Sequence, residues 1–295
     1  MALYGWIIYN GFLKSDKFVD FAEMLQEAAL ERGHEAEIKT NVDVLNVLHH
    51  DGSNPIYDRL PDYVLFTDKD IYLANTLERL GVNVFNRSRA IEVSDDKIKT
   101  YEHLAAFRLP IPLTIVAPKT FGQPLHVRHP YIRQVLDQLS FPFIVKEAFG
   151  SFGEQVHLVH DEDELANCLE KIGSSPFVFQ EFIEESRGVD LRLQVVGEEV
   201  VASMKRISET DFRANVTAGG RMEPYEPNEW EKRLAVQATK AIGAHFAGVD
   251  LLFGKDGERY ICEVNSNAHI RNLYDCTNID ASYDIIKLVE RELKS

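Results

Sequence analysis

Two acidic residues near the carboxyl terminus of this 295-residue chain could bind a metal ion together. An Asp-Gly dipeptide separates two apolar runs there, and this dipeptide is a strong signal for a two-residue hairpin turn. That turn would place Asp250 opposite Glu263. Asn265 would point to the same side of the sheet, because side chains alternate faces along a strand.

Two carboxylates that face each other within an apolar sheet need a cation, because like charges directly opposite destabilise a sheet and burial raises that cost. Three hard oxygen ligands with room for water and phosphate oxygens suit Mg²⁺ better than Zn²⁺. The hairpin therefore predicts a magnesium site at Asp250, Glu263 and Asn265. In the alternative, the register differs and both acids are ordinary surface charges.

A lysine beside a glycine loop could bind phosphate groups. Lys146 ends the apolar run 141–145 and precedes a loop with Gly150 and Gly153. Its ammonium could contact phosphates while the N–H groups of the loop cover them. No G-K-[ST] follows, so the segment is not a Walker A loop. The alternative is a solvated lysine at a strand end.

Three further polar segments have both a functional and an ordinary interpretation. Residues 180–183 end a predicted strand, where backbone groups could recognise an adenine edge or simply continue into a turn. Asp190, Arg192 and Gln194 share one strand face, which would be either a polar site or a solvent-exposed face. Basic residues concentrate in residues 205–221, and this predicts either an anionic ligand or a loop of solvated charges. The basic residues are Lys205, Arg206, Arg213 and Arg221, with Asn215, Gly219 and Gly220 among them.

Strands and helices alternate over the first ninety residues, which predicts a small parallel α/β domain. No G-x-G-x-x-G follows the first strand, so the nicotinamide-dinucleotide fingerprint is absent. Pro110, Pro112 and Pro118 predict an extended connection over 109–120. The predicted strands are 4–9, 35–39, 63–67, 83–85, 177–183, 190–196, 199–207, 248–253 and 259–265, with a strand-loop-strand unit over 141–159. The predicted helices are 17–32, 71–80, 94–107, 131–139, 162–171, 229–242 and 282–293.

Composition excludes several classes of protein. With 32 Lys and Arg against 47 Asp and Glu, the net charge is −15, which disfavours binding to nucleic acid or an anionic membrane. Three cysteines without a C-x-x-C pair argue against a zinc site or a disulfide framework. The chain shows neither a signal-peptide pattern nor a run of 18 apolar residues, so we expect a cytoplasmic protein.

The order of these segments resembles the ATP-grasp superfamily and, within it, the RimK-like carboxylate–amine ligases, which append glutamate or another amino acid to a carboxylate. The resemblance covers roughly residues 90–295. It implies an α/β (α+β) class and an ATP-grasp fold over 94–295, with subdomains of about 94–184 and 185–295, after a Rossmann-like pre-ATP-grasp domain over 1–93. The segments are SDDK ending at Lys97, PFIVK ending at Lys146, QEFIEESRGVDLR over 180–192, MKR with DFRANVTAGG over 204–220, GVDLL over 248–252 and EVN over 263–265.

The resemblance implies a role for each matching residue. The oxygen ligands Asp250, Glu263 and Asn265 would bind Mg²⁺, the set that the hairpin also indicates. Arg192 and Arg206 would stabilise an acyl-phosphate intermediate. The nucleotide contacts would be Lys97 and Lys146 at the phosphates, Gln180, Glu181, Phe182 and Ile183 at an adenine-binding hinge, Asp190 at the ribose, and Arg213, Ala214 and Asn215 in a second nucleotide-contacting segment.

The implied activity is an ATP-dependent ligation of an amine, such as the amino acid glutamate, to a carboxylate of a peptide, protein or metabolite. ATP would be the co-substrate with two Mg²⁺ ions, for which Mn²⁺ is an alternative, and a homo-oligomer is compatible with the sequence. Two other functions stay open: a ligase that crosslinks side chains within one peptide, and a non-catalytic ATP-binding regulator.

One segment departs from the family. RimK-like enzymes follow the metal-binding Asn with a Ser-Pro-Gly turn, whereas residues 266–272 read SNAHIRN. This departure concerns the acceptor side, so it affects the substrate assignment and not the nucleotide assignment. His269 or Arg271 could contact a substrate carboxylate, and a solvated loop is the alternative.

Overall fold

The structure is a computed structural model that describes residues 2–13, 15–50, 57–150, 153–214 and 220–294. Within these ranges, no helix is long and apolar enough to cross a membrane. The strands are β1 (Tyr4–Tyr9), β2 (Glu35–Thr40), β3 (Tyr63–Phe66), β4 (Asn83–Phe85), β5 (Thr114–Val116), β6 (Phe143–Glu147), β7 (Val156–Val159), β8 (Phe177–Glu181), β9 (Val189–Val196), β10 (Glu199–Ile207), β11 (Arg221–Pro224), β12 (Phe246–Phe253) and β13 (Arg259–Asn265). The helices are α1 (Asp16–Glu31), α2 (Ile71–Arg79), α3 (Ser88–Asp95), α4 (Lys97–Ala106), α5 (Pro130–Leu136), α6 (Glu162–Ile172), α7 (Glu229–Ala241), α8 (Arg271–Thr277) and α9 (Ala281–Lys294).

The first sheet is parallel, in the order β2-β1-β3-β4, which confirms the predicted N-terminal α/β unit. Helix α1 buries an apolar face against it, including Phe21 and Leu25, and Gly33 (φ +81°) follows the helix in the left-handed conformation expected after a helix end. The chain leaves β1 and β3, the two central strands, toward opposite edges of the sheet. Their carboxyl ends therefore open the crevice that binds ligands in sheets of this kind.

The second sheet is antiparallel, in the order β5-β8-β6-β7. Its core contains Phe143, Phe177 and Phe179 and is covered by α5 and α6. Asp161 caps α6, because its carboxylate accepts hydrogen bonds from the backbone N–H groups of the first turn. Gly150 lies in the connection between β6 and β7, which overhangs the cavity described below.

The third sheet is antiparallel, in the order β11-β10-β9-β12-β13. Helix α7 packs its apolar face on β9, β12 and β13, and a capping box between Asn228 and Glu231 fixes where the helix begins. The β9–β10 hairpin turns at Gly197 (φ +62°), as its Gly-Glu dipeptide predicts. Strand β12 is buried at six consecutive positions, so any charge on it requires a partner.

The first and third sheets share one apolar core through α9. Ile285 and Val289 of this helix pack with Leu25 of α1 and with Phe246 of β12. At the surface of this contact, Glu290 accepts hydrogen bonds from Arg32 at 2.7 Å and contacts a ring nitrogen of His34 at 2.8 Å. The N-terminal sheet is therefore held against the third sheet, and the two form opposite walls of one cleft.

Several short elements differ from the predictions. The helix predicted over 94–107 begins three residues later, because Asp96 caps α4 by accepting from the N–H groups of Ile98 and Lys99 at 2.9 and 3.3 Å. Residues 94 and 95 instead end α3, which was not predicted. The proline-rich connection contains the three-residue strand β5, and β11 and α8 were missed because each is short and without a clear apolar period.

Candidate active site

A cavity of about 590 Å³ lies between the three sheets. Every metal, catalytic or nucleotide-binding residue that the family resemblance implies lines it, apart from Asn215, which lies outside the described residues. The lining residues from the predicted set are Lys97, Lys146, Gln180, Glu181, Phe182, Ile183, Asp190, Arg192, Arg206, Arg213, Ala214, Asp250, Glu263 and Asn265.

The β12–β13 hairpin pairs Asp250 with Glu263, as predicted, and Gly248 with Asn265. The prediction of a two-residue turn is wrong. Phe253 pairs with Arg259, and residues 254–258 form a longer loop that is closed by a hydrogen bond from the N–H of residue 254 to the carbonyl of residue 258 at 2.9 Å.

A β-bulge restores the predicted pairing. Cys262 is an extra residue on β13, and the register shifts there by one position between the pairs of Asp250 and Leu251. The longer loop shifts the strand pairing by one residue, and the bulge shifts it back by one residue. Asp250 and Glu263 therefore lie side by side on adjacent strands and face the same cavity.

Four charged side chains from three adjacent strands form a buried ion-pair cluster. Arg192 donates to both carboxylate oxygens of Asp250, with Nη2 2.8 Å from Oδ2. Arg206 donates to both oxygens of Asp190, at 2.7 and 2.6 Å, and its Nη2 also lies 2.8 Å from Oδ2 of Asp250. The strand order explains the contacts, because Arg206 is the cross-strand neighbour of Asp190 and Arg192 that of Asp250.

The pKa values of the two acids in the cluster are shifted in opposite directions, because burial and the arginines compete at each. Burial raises the pKa of Asp250, but Arg192 and Arg206 more than offset this, so its pKa lies below the ordinary value. Burial raises the pKa of Asp190 above the ordinary value, against the opposing effect of Arg206. The polar face of β9 is therefore enclosed and not solvent-exposed.

Two lysine ammonium groups reach the cavity from the second sheet and from α4. Lys146, at the end of β6, is 6% exposed, and its Nζ lies 3.0 Å from the hydroxyl of Tyr101 and 3.7 Å from Sγ of Cys262. Lys97 is the first residue of α4, and its Nζ donates to the carbonyl of Gly150 at 3.3 Å. Burial lowers the pKa of Lys97, and the charge of Glu263 opposes that shift. Neither lysine forms a salt bridge with a carboxylate in the described part of the chain.

The predicted hinge lies where β8 ends. Gln180 is enclosed, and its side-chain amide donates to the hydroxyl of Thr114 at 2.8 Å. The N–H of Glu181 donates to the carbonyl of Leu113 at 2.8 Å, so the strand is anchored up to its last residue. After this last residue of β8, the apolar side chains of Phe182 and Ile183 line the cavity. Apolar side chains are suited to contact a flat adenine ring.

The predicted basic cluster divides into two parts. Arg206 and Arg213 line the cavity, and Arg213 pairs with Asp211 at 2.6 Å and donates to a backbone carbonyl of the β6–β7 connection. Lys205 instead lies over the ring of a phenylalanine of β12 at 5.5 Å, and Arg221 pairs with Glu223 at the surface. The structure therefore places two of the four basic residues beside the cavity.

The oxygen donors at the β12–β13 hairpin fit Mg²⁺ in their chemistry. Among the residues that the structure describes, no group of three or more His, Cys, Asp or Glu side chains could bind a metal. The expected Mg²⁺ ligands are instead two carboxylates, Asp250 and Glu263, and one amide, Asn265. Glu263 has no hydrogen bond or ion pair with described residues, which leaves both of its oxygens available. Asp250 would have to share an oxygen with a cation while its arginine partners adjust.

Three polar residues without a predicted role, Asn10, Asp68 and Asn267, also line the cavity, together with His269, a predicted substrate contact. Asn10 follows β1 and Asp68 follows β3, at the carboxyl ends of the two central strands of the parallel sheet. Asn267 and His269 line the cavity from the loop after β13. The predicted parallel sheet was the signal that could have found Asn10 and Asp68, because ligands bind at the carboxyl ends of parallel strands where the strand order reverses.

The atypical segment 266–272 is not a solvated loop. Ser266, Ala268 and Ile270 are buried, and burial lowers the pKa of His269 to about 4, so this imidazole is neutral near pH 7. Arg271 begins α8 and forms an ion pair with an aspartate of α1 at 2.6 Å, and it does not line the cavity. Of the two predicted substrate contacts, the structure places only His269 beside the cavity.

Comparison with known proteins agrees with this arrangement. Residues 94–289 match the profile of the RimK-like ATP-grasp domain. The chain is 34% identical over 222 residues to a probable alpha-L-glutamate ligase of Legionella pneumophila, covering 74% of this chain and 70% of that protein. It is 32% identical over 225 residues to human N-acetylaspartylglutamate synthase A, covering 75% of this chain and 56% of that longer protein.

Among solved structures, the fold matches the ATP-grasp ligase PsnB complexed with a minimal precursor, Mg and ADP. The TM-score is 0.72 at 18% sequence identity, over 99% of this chain and 98% of that chain. Because that identity is low, the similarity establishes a shared ATP-grasp fold and no more.

Proposed function

We propose, because this chain belongs to the RimK-like ATP-grasp family, that it joins an amino acid such as glutamate to a carboxylate of a peptide, protein or small-molecule acceptor. The family assignment makes the protein an ATP-dependent ligase that forms carbon–nitrogen bonds. ATP and Mg²⁺ are its expected co-substrate and metal. The choice of amino acid, the class of acceptor and the use of two Mg²⁺ ions are parts of the proposal.

One observation supports the proposal most strongly. Asp250 and Glu263 pair across β12 and β13 and face a cavity that also contains Lys97 and Lys146. Acidic groups that bind a dication and basic groups that bind a triphosphate are therefore gathered in one enclosed site. Among the described residues, the Glu263 side chain has no hydrogen bond or ion pair, and its charge acts on both Lys97 and Lys146.

The arrangement supports a division of roles among the residues of the chain. Lys97 and Lys146 would hold the phosphates of ATP, while Asp250, Glu263 and Asn265 would bind Mg²⁺, which offsets the repulsion between an incoming carboxylate and the triphosphate. The adenine would lie against residues 180–183, with Asp190 at the ribose and residues 213–215 as a second contact.

Two arginines would stabilise the negative charge of the transferring phosphoryl group. Arg192 and Arg206 place fixed positive charge on the sheet face beside the metal ligands, where negative charge develops on the transferring group. Because Arg192 pairs with Asp250, binding of a cation at that carboxylate would release the guanidinium toward an anionic substrate. The carboxylate of the acceptor would take the γ-phosphoryl group of ATP and release ADP. The amine would then attack the acyl phosphate, lose a proton and displace inorganic phosphate to form the amide.

The proposal is tested by measuring ADP release with each of the twenty standard L-amino acids, with and without a size-fractionated cell extract as a source of acceptors. We expect Mg²⁺-dependent ADP release that requires both an amino acid and the extract. Mass spectrometry should show a gain of one amino-acid residue on the acceptor. Loss of one water without that gain would identify internal crosslinking instead.

A matched pair of variants separates this activity from contaminating ATPases. Glu263→Gln should release no ADP, whereas Glu258→Gln, an exposed glutamate of the same hairpin, should behave as the wild type. Nucleotide binding without ADP release under any of these conditions would contradict the ligase assignment and favour a regulatory protein.

A further inference from the structure

Three enclosed polar atoms on residues that line the cavity have no hydrogen-bond partner among the described residues: Oδ2 of Asp68, Oδ1 of Asn267 and Nδ1 of His269. All three are acceptors. The amide of Asn267 is oriented by its Nδ2, which donates to the backbone carbonyl of Asp68 at 2.7 Å. The imidazole of His269 is neutral and hydrogen-bonds with the backbone of Lys17, so the unpartnered Nδ1 is its acceptor nitrogen.

Asp68 is the charged member of this group. Its side chain follows β3 and is 5% exposed, and its second oxygen, Oδ1, accepts from the amide of Asn10 at 3.0 Å. No ion pair joins it to a lysine or arginine in the parts of the chain that the structure describes. Burial raises the pKa of Asp68, while hydrogen bonds from Asn10 and from the backbone of Lys69 and Asp70 oppose that shift. An enclosed carboxylate in this state is stabilised by a cationic partner.

Asp68 lies at a position in the parallel sheet where ligands commonly bind. Asn10 follows β1 and Asp68 follows β3, and these neighbouring strands mark the point where the order of the parallel sheet reverses. Asn267 connects this point to the metal-binding hairpin, because its N–H donates to Oδ1 of Asn265 at 2.9 Å. A ligand group at Asp68 would therefore lie beside the site where the acceptor carboxylate is activated.

We propose that Asp68 and Asn267 bind the ammonium group of the amine substrate. This inference rests on the proposed function and assigns the amine to the N-terminal wall of the cleft. An ammonium carries three N–H donors and one positive charge, which matches Oδ2 of Asp68 and Oδ1 of Asn267, two acceptor atoms without a donor among the described residues. The amine substrate is accordingly a primary ammonium compound such as an amino acid.

The test measures binding without turnover. Isothermal calorimetry with Mg²⁺ and the non-hydrolysable analogue AMPPNP compares each standard L-amino acid that carries a primary ammonium with its deaminated counterpart, for example L-glutamate with glutarate. The wild type should bind at least one amino acid more tightly than its counterpart. Asp68→Asn should reduce that preference by roughly 10- to 100-fold, the range for a lost charge-assisted hydrogen bond in an enclosed site.

Two further variants control for folding and for chemistry. Asn267→Leu removes the second acceptor and keeps the size of the side chain, and it should reduce the preference by a smaller factor. Asp58→Asn makes the same chemical change at an exposed position away from the cavity and should leave the preference intact. Circular dichroism and thermal unfolding of each variant verify that it folds.

The outcomes distinguish this inference from the proposed function. If no amino acid binds more tightly than its deaminated counterpart, or if Asp68→Asn keeps the wild-type preference, the ammonium site is overturned. If the preference depends on Asp68 but no amino acid supports ADP release, the ammonium site stands and the ligase activity fails.

Discussion

Removal of the Arg206 guanidinium should destabilise the protein strongly, because this group neutralises two enclosed acids. Its side chain is 13% exposed and contacts Asp190 at 2.6 Å and Asp250 at 2.8 Å. In Arg206→Gln, Asp250 keeps Arg192, but Asp190 loses its ion-pair partner while it stays buried. Breaking a buried pair in this way costs about 3–5 kcal/mol, a large part of the stability of an ordinary domain.

A double-mutant cycle separates the cost of leaving Asp190 unpaired from the cost of losing the Arg206 side chain itself. Asp190→Asn removes the orphaned carboxylate, so the double variant Asp190→Asn/Arg206→Gln should be more stable than the sum of the single effects predicts, by about 1–3 kcal/mol. Urea unfolding at pH 7, followed by circular dichroism, measures all four proteins.

A matched control tests whether burial is the cause. Arg187 also pairs with a carboxylate through two hydrogen bonds, to Glu184 at 2.7 and 3.0 Å, but both side chains are largely exposed. Arg187→Gln should therefore cost less than about 1 kcal/mol. The reasoning is refuted if Arg206→Gln costs no more than this control, or if the two single effects of the cycle are simply additive.

Two other predictions concern stability and the wall of the cleft. Burial lowers the pKa of His245 and of His269 to about 4. The unfolded chain therefore binds more protons between about pH 6.5 and 4, and each histidine should reduce the free energy of unfolding by about 2 kcal/mol from pH 7 to pH 5. Urea unfolding at both pH values checks this, and a His245→Gln variant with unchanged pH dependence would contradict it. Gly248→Ala would place a methyl group 2.5 Å from Cβ of Ala268, so it should lower stability by about 1–3 kcal/mol and reduce turnover. Adding Ala268→Gly should recover part of both in thermal unfolding and ADP-release assays, because Nη1 of Arg192 still lies 3.0 Å from the new methyl. No recovery at all would show that the clash with Ala268 is not the cause.

The wall of the cleft that contains Lys146, Asp250 and Glu263 could be predicted from sequence because these residues lie on regular strands. Lys146 ends an apolar strand, and the alternation along β9 and β13 fixes which side chains share a face. Local periodicity therefore carried most of the information. The Asp250–Glu263 pair was predicted through the wrong turn, since an Asp-Gly signal does not reveal a bulge further along the strand.

The part of the cleft at Asp68 and Asn267 could not be predicted in the same way. Asp68 and Asn267 are distant in sequence and meet because α9 packs the N-terminal sheet against the third sheet. The packing of the two sheets depends on apolar helix faces. A single sequence shows that such a face is apolar, but it does not show which other element the face packs against. The burial of residues 266–270 has the same origin, because their polar composition resembles that of a surface loop.

The central claim is that Glu263 binds a dication beside the lysines that hold ATP. The most direct test is Mn²⁺ binding to the protein–AMPPNP complex, measured by electron paramagnetic resonance in the wild type, Glu263→Gln and Glu258→Gln. We expect Glu263→Gln to weaken Mn²⁺ binding by at least about 10-fold with an unchanged circular dichroism spectrum, while Glu258→Gln matches the wild type. Wild-type Mn²⁺ affinity in Glu263→Gln would contradict the account.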